Sequence, residues 1–211
     1  MTMEIVSVEL FSRDELLSKI RRTPLMGYGG ARPYAHCNVE LCPARDPETL
    51  VPAQRYVLTA GVRRLLDLRN ALLDHEVDIF ALDGGARIRT SDDPTTVLPV
   101  IPPIVEMSLN REDRRVPLIN DGIHRVFAAR TMGLPISIVL LSDVPPEYPY
   151  YALPLIDGWS DVAELEELPD GFQKKEYWNP QNYKALFRDF NSVFPGVQEQ
   201  RKRSNPEHLK A

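Results

Sequence analysis

The sequence predicts an α/β fold, a small mixed sheet with flanking helices, and three stretches carry that expectation. Val116 to Leu141 reads as strand, polar turn, helix and strand. Thr59 to His75 repeats apolar residues at helical spacing. Ile5, Val6, Val8 and Leu10 form a short apolar run near the start, as a strand would.

The unit from Val116 to Leu141 organises the rest. Val116, Leu118 and Ile119 make its first strand, and Asn120, Asp121 and Gly122 the turn. A helix follows from about Ile123 to Met132. Gly133 stops it by tolerating the left-handed position, and Pro135 cannot continue the hydrogen-bond ladder. Ile136, Ile138, Val139, Leu140 and Leu141 then read as a buried strand. Polar side chains at a helix start, beside free backbone N–H groups and the positive dipole end, form an anion site.

The remaining elements follow in chain order. Ser12 and Glu15 have the spacing of a capping box for a short helix to about Arg22. Pro24 to Pro52 shows little periodicity. Within it, Gly27 to Pro33 is a turn-rich loop without P-loop spacing, either a pocket cover or a surface connection. In the Thr59–His75 helix, Val62, Leu65, Leu66, Leu68, Leu72 and Leu73 give the apolar face. Arg63, Arg64, Asp67 and Arg69 give a solvated one. Asp78 to Leu82 is a candidate strand with Asp83–Gly85 as its turn, and Arg87 to Thr90 alternates like an exposed strand.

Val97 to Met107 holds two strand fragments around Pro99, Pro102 and Pro103, and polar Asn110 to Arg115 is a hairpin connection. That hairpin sets Glu106 and Asp121 on neighbouring strands. Beyond Leu141, Ser142 to Gly158 is rich in proline and tyrosine, suited to packing without regular structure. Val162 to Leu168 is an acidic short helix or turn. Asn179-Pro180 opens a helix through Tyr183, Leu186, Phe187 and Phe190, which Pro195-Gly196 ends. The tail from Gln198, with Arg201, Lys202 and Arg203, is polar and expected to fray. Residues 1–145 thus form the α/β domain with N-terminal additions, and 146–211 a C-terminal arm.

The totals narrow the function. At 211 residues and 43% hydrophobic, the chain can bury a sizeable core. A net charge of -5 argues against non-specific coating of duplex DNA, though not against a local basic cleft. No apolar run approaches a membrane span and no signal pattern opens the chain, so a cytoplasmic protein is expected. Cys37 and Cys42 with His36 fall short of a closed zinc site and read as reduced thiols.

The run Asp121-Gly-Ile-His-Arg-Val-Phe-Ala-Ala-Arg, placed between strand and helix, resembles the signature of the ParB/sulfiredoxin-like superfamily. The resemblance covers Pro99 to Val144. It implies that the turn and helix start hold nucleotide phosphates, with Gly122 permitting close backbone approach and His124 and Arg125 contacting oxygens. It gives Asp121 a role with Mg²⁺ or in activating an acceptor, and Glu106 a looser role as a second carboxylate. The implied ligands are ATP or CTP with Mg²⁺ and a small-molecule acceptor. The implied reaction is phosphoryl transfer or hydrolysis, with Asp121, Glu106 and His124 as catalytic groups.

Two departures shape the expectation. Ile123 stands where sulfiredoxins carry the cysteine of their repair chemistry, so that activity is not expected. ParB partition proteins have Glu-Arg-Arg in place of Ile-His-Arg and continue into DNA-binding helices, whereas this chain continues into its arm. Two other classes stay open: a nucleic-acid-binding or nuclease-like ParB-related module, and a non-catalytic interaction domain. In the latter, the Asp121–Arg125 side chains are tied up internally with no open pocket beside the turn: His124 caps its helix or bonds a carbonyl, and Arg125 pairs with Glu106. Arg130, roughly one and a half turns on, reads as surface.

Overall fold

A computed structural model describes residues 4–197. It is a mixed α/β structure with three helices and small sheets. β1 (Ile5–Ser12) leads into α1 (Arg13–Arg21), where the Ser12 hydroxyl accepts from Glu15 N–H at 3.2 Å. The Glu15 carboxylate turns to Arg87 and Lys19 rather than back to the cap. β2 (Asn38–Arg45), β3 (Tyr56–Leu58) and α2 (Thr59–Leu73) follow, then β4 (Gly84–Thr90), β5 (Leu98–Val100) and β6 (Ile104–Leu109). β7 (Arg115–Asp121), α3 (Ile123–Thr131), β8 (Ile136–Ser142) and β9 (Ala163–Leu165) complete the list.

The sheet that positions the site has the order β2-β8-β6-β7. β6 pairs antiparallel with β7 through the expected hairpin, whose tip is tied by the Asn110 side chain accepting from Glu112 and Arg114 N–H. β6 runs parallel to β8, and β8 antiparallel to β2. Both faces are covered, and that is why β8 reads as a continuous apolar run. Ile136, Ile138 and Leu140 face a cluster with Val126, Phe127, Ala128 and Ala129 of α3 and Val62 and Leu72 of α2. Val139 and Leu141 face the opposite side, with Leu16 and Ile20 of α1 and Phe190 and Phe194 of the arm. Ala128 and Ala129, both fully buried, let α3 lie close to the sheet. A second sheet, β1-β4-β5, and a parallel pair, β3-β9, flank it.

Several expectations change. Asp78–Leu82 is no strand: the Asp78 carboxylate accepts from Phe80 N–H and pairs with Arg69, forming a turn instead. Gly84 and Gly85 belong to β4, not to a hairpin tip. A Cβ on Gly85 would lie 2.2 Å from the Phe11 ring of the paired strand. The Pro24–Pro52 stretch contains β2, and the acidic stretch 162–168 contains β9. The helix expected after Asn179 is replaced by two short 3-10 turns, Tyr183–Leu186 and Phe190–Ser192. Backbone groups of that segment bond to residues 24–27 instead: Met26 N–H to Phe187 O, Gly27 N–H to Ala185 O, Asp189 N–H to Pro24 O.

The tail with Arg201, Lys202 and Arg203 lies outside the described residues. Cys37 and Cys42 are free thiols. Cys37 Sγ donates to Pro33 O, and burial pushes its thiol up to about 11. Among the described residues, no helix is long and apolar enough to cross a membrane.

Candidate functional site

β7 ends at Asp121, and the chain must reverse into α3 over one residue. Gly122 does this with φ 88, a left-handed conformation that side-chain-bearing residues resist. A Cβ there would also lie 3.0 Å from Pro103 Cβ and 3.1 Å from its Cα. The helix therefore starts on a glycine with no side-chain cap, and its first N–H groups have no carbonyl one turn back.

His124 joins this corner to a second helix start. The N–H of Leu58, the residue before α2, donates to His124 Nε2 at 3.0 Å. An accepting Nε2 carries no proton, so the imidazole is neutral with its proton on Nδ1. α2 also lacks a side-chain cap. Gly61 makes room for the ring, since a Cβ there would lie 2.9 Å from His124 Cδ2. Two positive helix ends thus meet through one side chain.

Arg125 sits in the first turn of α3. Its Nε is shielded from solvent and has no hydrogen-bond partner among the described residues. Burial pushes the guanidinium down to about 10, and the nearby Asp121 carboxylate opposes that shift. Arg130, one face along, pairs with Glu48 at 2.9 Å and stacks over Trp159.

Glu106 lies on the strand beside Asp121 but faces elsewhere. It is buried, and its carboxylate accepts from Tyr34 Oη (2.9 Å), Asn120 Nδ2 (3.3 Å) and Arg188 Nη2 (3.1 Å). Arg188 also donates to the carbonyls of Tyr148, Pro149 and Leu186 and to Tyr34 Oη. Tyr34 Oη accepts from Asn120 Nδ2 at 2.7 Å, and burial beside Glu106 holds its phenol well above the usual range. Asn120 O accepts from Tyr150 Oη, which accepts from Lys175. The structure thus brings Asp121, Gly122, His124 and Arg125 together, and directs Glu106 to a separate buried network that meets the corner through Asn120.

Residues 15–163 match the family model described as the ParB CE domain. The chain belongs to that family. No curated protein and no solved structure matches it. The matched span of this ParB CE domain takes in the whole corner and Glu106 but ends at the first residue of β9. Arg188, the counter-ion of Glu106, therefore lies beyond it.

Sequence reasoning did not find Arg188, Tyr34 or Tyr150, because their partnership with Glu106 and Asn120 spans 30 to 86 positions. It also missed Arg55, whose Nε is likewise buried without a partner. Arg55 precedes β3, whose other end meets His124, so it stands about three strand residues (roughly 10 Å) from the corner. No local pattern marks it.

Proposed function

We propose that this ParB CE domain binds a nucleoside triphosphate, ATP or CTP, with its phosphates over the start of α3. One observation carries the reading: Arg125 keeps a shielded Nε with no hydrogen-bond partner among the described residues, where two helix starts without side-chain caps meet. A shielded donor without a partner is costly, and a phosphate would relieve that cost through the guanidinium fork. The helix ends add favourable charge of the same sign.

Asp121, the carboxylate at the end of β7 beside the turn, would be the protein ligand of Mg²⁺, which commonly binds one or two carboxylates and completes its shell with phosphate oxygens and water. When bound, Mg²⁺ supplies charge neutralisation on the phosphates. Arg125 would then stabilise negative charge during transfer of the terminal phosphoryl group to water or to a small acceptor, and Asp121 would orient that acceptor. His124 positions the corner through Leu58, and Glu106 anchors the arm outside the reacting groups.

Isothermal titration with ATP and with CTP, each with MgCl₂, tests this. Saturable heat with one nucleotide, abolished by Arg125→Ala, is the expected result. Absence of heat at millimolar nucleotide, or identical heat from Arg125→Ala, overturns it.

A further inference from the structure

Away from the corner, a groove of about 430 Å³ runs between the end of α1, the glycine loop and the C-terminal arm. Its lining includes Lys19, Arg22, Pro24, Gly30, Arg32 and Ser192, with three cations and no carboxylate. That is notable in a chain of net charge -5, where an undirected distribution would favour acids.

The three cations differ. Lys19 is held in place by Glu15 at 3.2 Å and by the Phe194 ring at 5.4 Å, so its charge is partly matched. Arg22 and Arg32 are exposed, and neither has an ion-pair partner among the described residues. Arg22 Nε donates to Ser18 O, and among the described residues the outer edge of its guanidinium meets no side-chain acceptor. Asp189 touches the groove's Pro24 through its N–H, but its carboxylate accepts from Ser192 N–H.

The glycine loop is built rather than loose. Gly27 N–H donates to Ala185 O, and a Cβ on Gly27 would lie 2.5 Å from Ala185 Cβ, so the loop is seated on the arm. Gly30, at φ 74, faces open space and lets a ligand approach the backbone. At the start of the same turn, Tyr28 stands at φ 53 with half its surface exposed and its ring edge on Tyr148 at 5.8 Å.

We infer that this groove binds a chain of phosphate groups, with Arg22 and Arg32 as the principal contacts and Lys19 as a fixed third. Two sources share that chemistry: a single-stranded nucleic acid, whose bases could stack on Tyr28, and inorganic polyphosphate, which has none. The site is independent of the triphosphate corner.

The test is fluorescence anisotropy of a labelled oligothymidylate with the full chain, titrated across ionic strength. The expected result is binding at low salt that weakens steeply as salt rises. The Arg22→Ala/Arg32→Ala double variant, both positions being on the surface, should bind several-fold more weakly. Its salt slope should be shallower by about 0.7 for each lost contact. Arg125→Ala should bind as the wild type does, which separates this site from the corner. Unlabelled polyphosphate as competitor and Tyr28→Ala distinguish the sources. Loss on Tyr28→Ala identifies the strand, and competition with no effect of Tyr28→Ala identifies the phosphate chain alone. No binding at low ionic strength, or unchanged binding by the double variant, overturns the proposal.

Discussion

Arg125 distinguishes two roles for the corner by the sign of its effect on stability. Burial lowers its guanidinium to about 10, well below the ordinary arginine range. For a base with a depressed folded value, the charged form costs more in the folded chain, so folding is penalised at neutral pH; the penalty lifts only as pH rises past about 10, where the unfolded chain holds its proton and the folded chain loses it. The shielded Nε adds an unmatched donor, a cost of about 1–3 kcal/mol. Arg125→Met keeps much of the apolar stem and removes both penalties. Its melting temperature should rise, by about 2–4 °C per kcal/mol at this chain length, while stabilisation by nucleotide disappears. Thermal melts with and without ATP or CTP read both effects at once. A melting temperature that falls would mean Arg125 already serves the fold, as a scaffold residue does.

At the scale of elements, His124 shows how helix placement was only half legible. The strand–turn–helix unit is visible because all its signals are local: apolar β7, the Asp121–Gly122 bend, Gly133 and Pro135 after α3. The joining of α3 to α2 depends on a bond across 66 positions, and no local pattern announces it. β2 and β9 were hidden for a related reason. β2 carries Pro43 within eight residues, and β9 is a three-residue strand that exists because β3 lies beside it.

The helix expected after Asn179 fails for a specific reason. The Leu186 carbonyl, which a helix would give to Phe190 N–H, accepts instead from Arg188 Nη1 at 2.8 Å. Gly61 offers the element-scale test. Gly61→Ala places a methyl 2.9 Å from His124 Cδ2, where the ring must move and release Leu58 N–H. Nucleotide affinity should fall several-fold in calorimetry although no proposed ligand-contacting residue is changed. Affinity equal to wild type would show that the α2–α3 junction does not shape the corner.

On the scale of the whole molecule, the arm is fastened into the sheet by a buried ion pair, and this sets what the two ends of the chain owe each other. Phe190 and Phe194 fill the cluster beneath α1, and Arg188 closes on Glu106. Burying such a pair is a poor source of net stability, but breaking one is expensive because the survivor keeps its charge without water. Arg188→Met should therefore cost about 3–5 kcal/mol, while adding Glu106→Leu should recover part of that loss. Recovery will be incomplete because the Tyr148 and Pro149 carbonyls lose Arg188 in both variants.

The same network touches the site through Asn120, whose amide bonds Tyr34 and Glu106 and whose carbonyl accepts from Tyr150. Asn120 precedes Asp121 and Gly122, so loosening the arm loosens the bend on which the phosphate proposal stands. Denaturant melts of the two variants measure the stability terms, and nucleotide titration of whichever remains folded measures the coupling. If Arg188→Met melts like the wild type, Glu106 must find compensation that the buried geometry does not provide, and the arm is a passenger on the sheet rather than part of its frame.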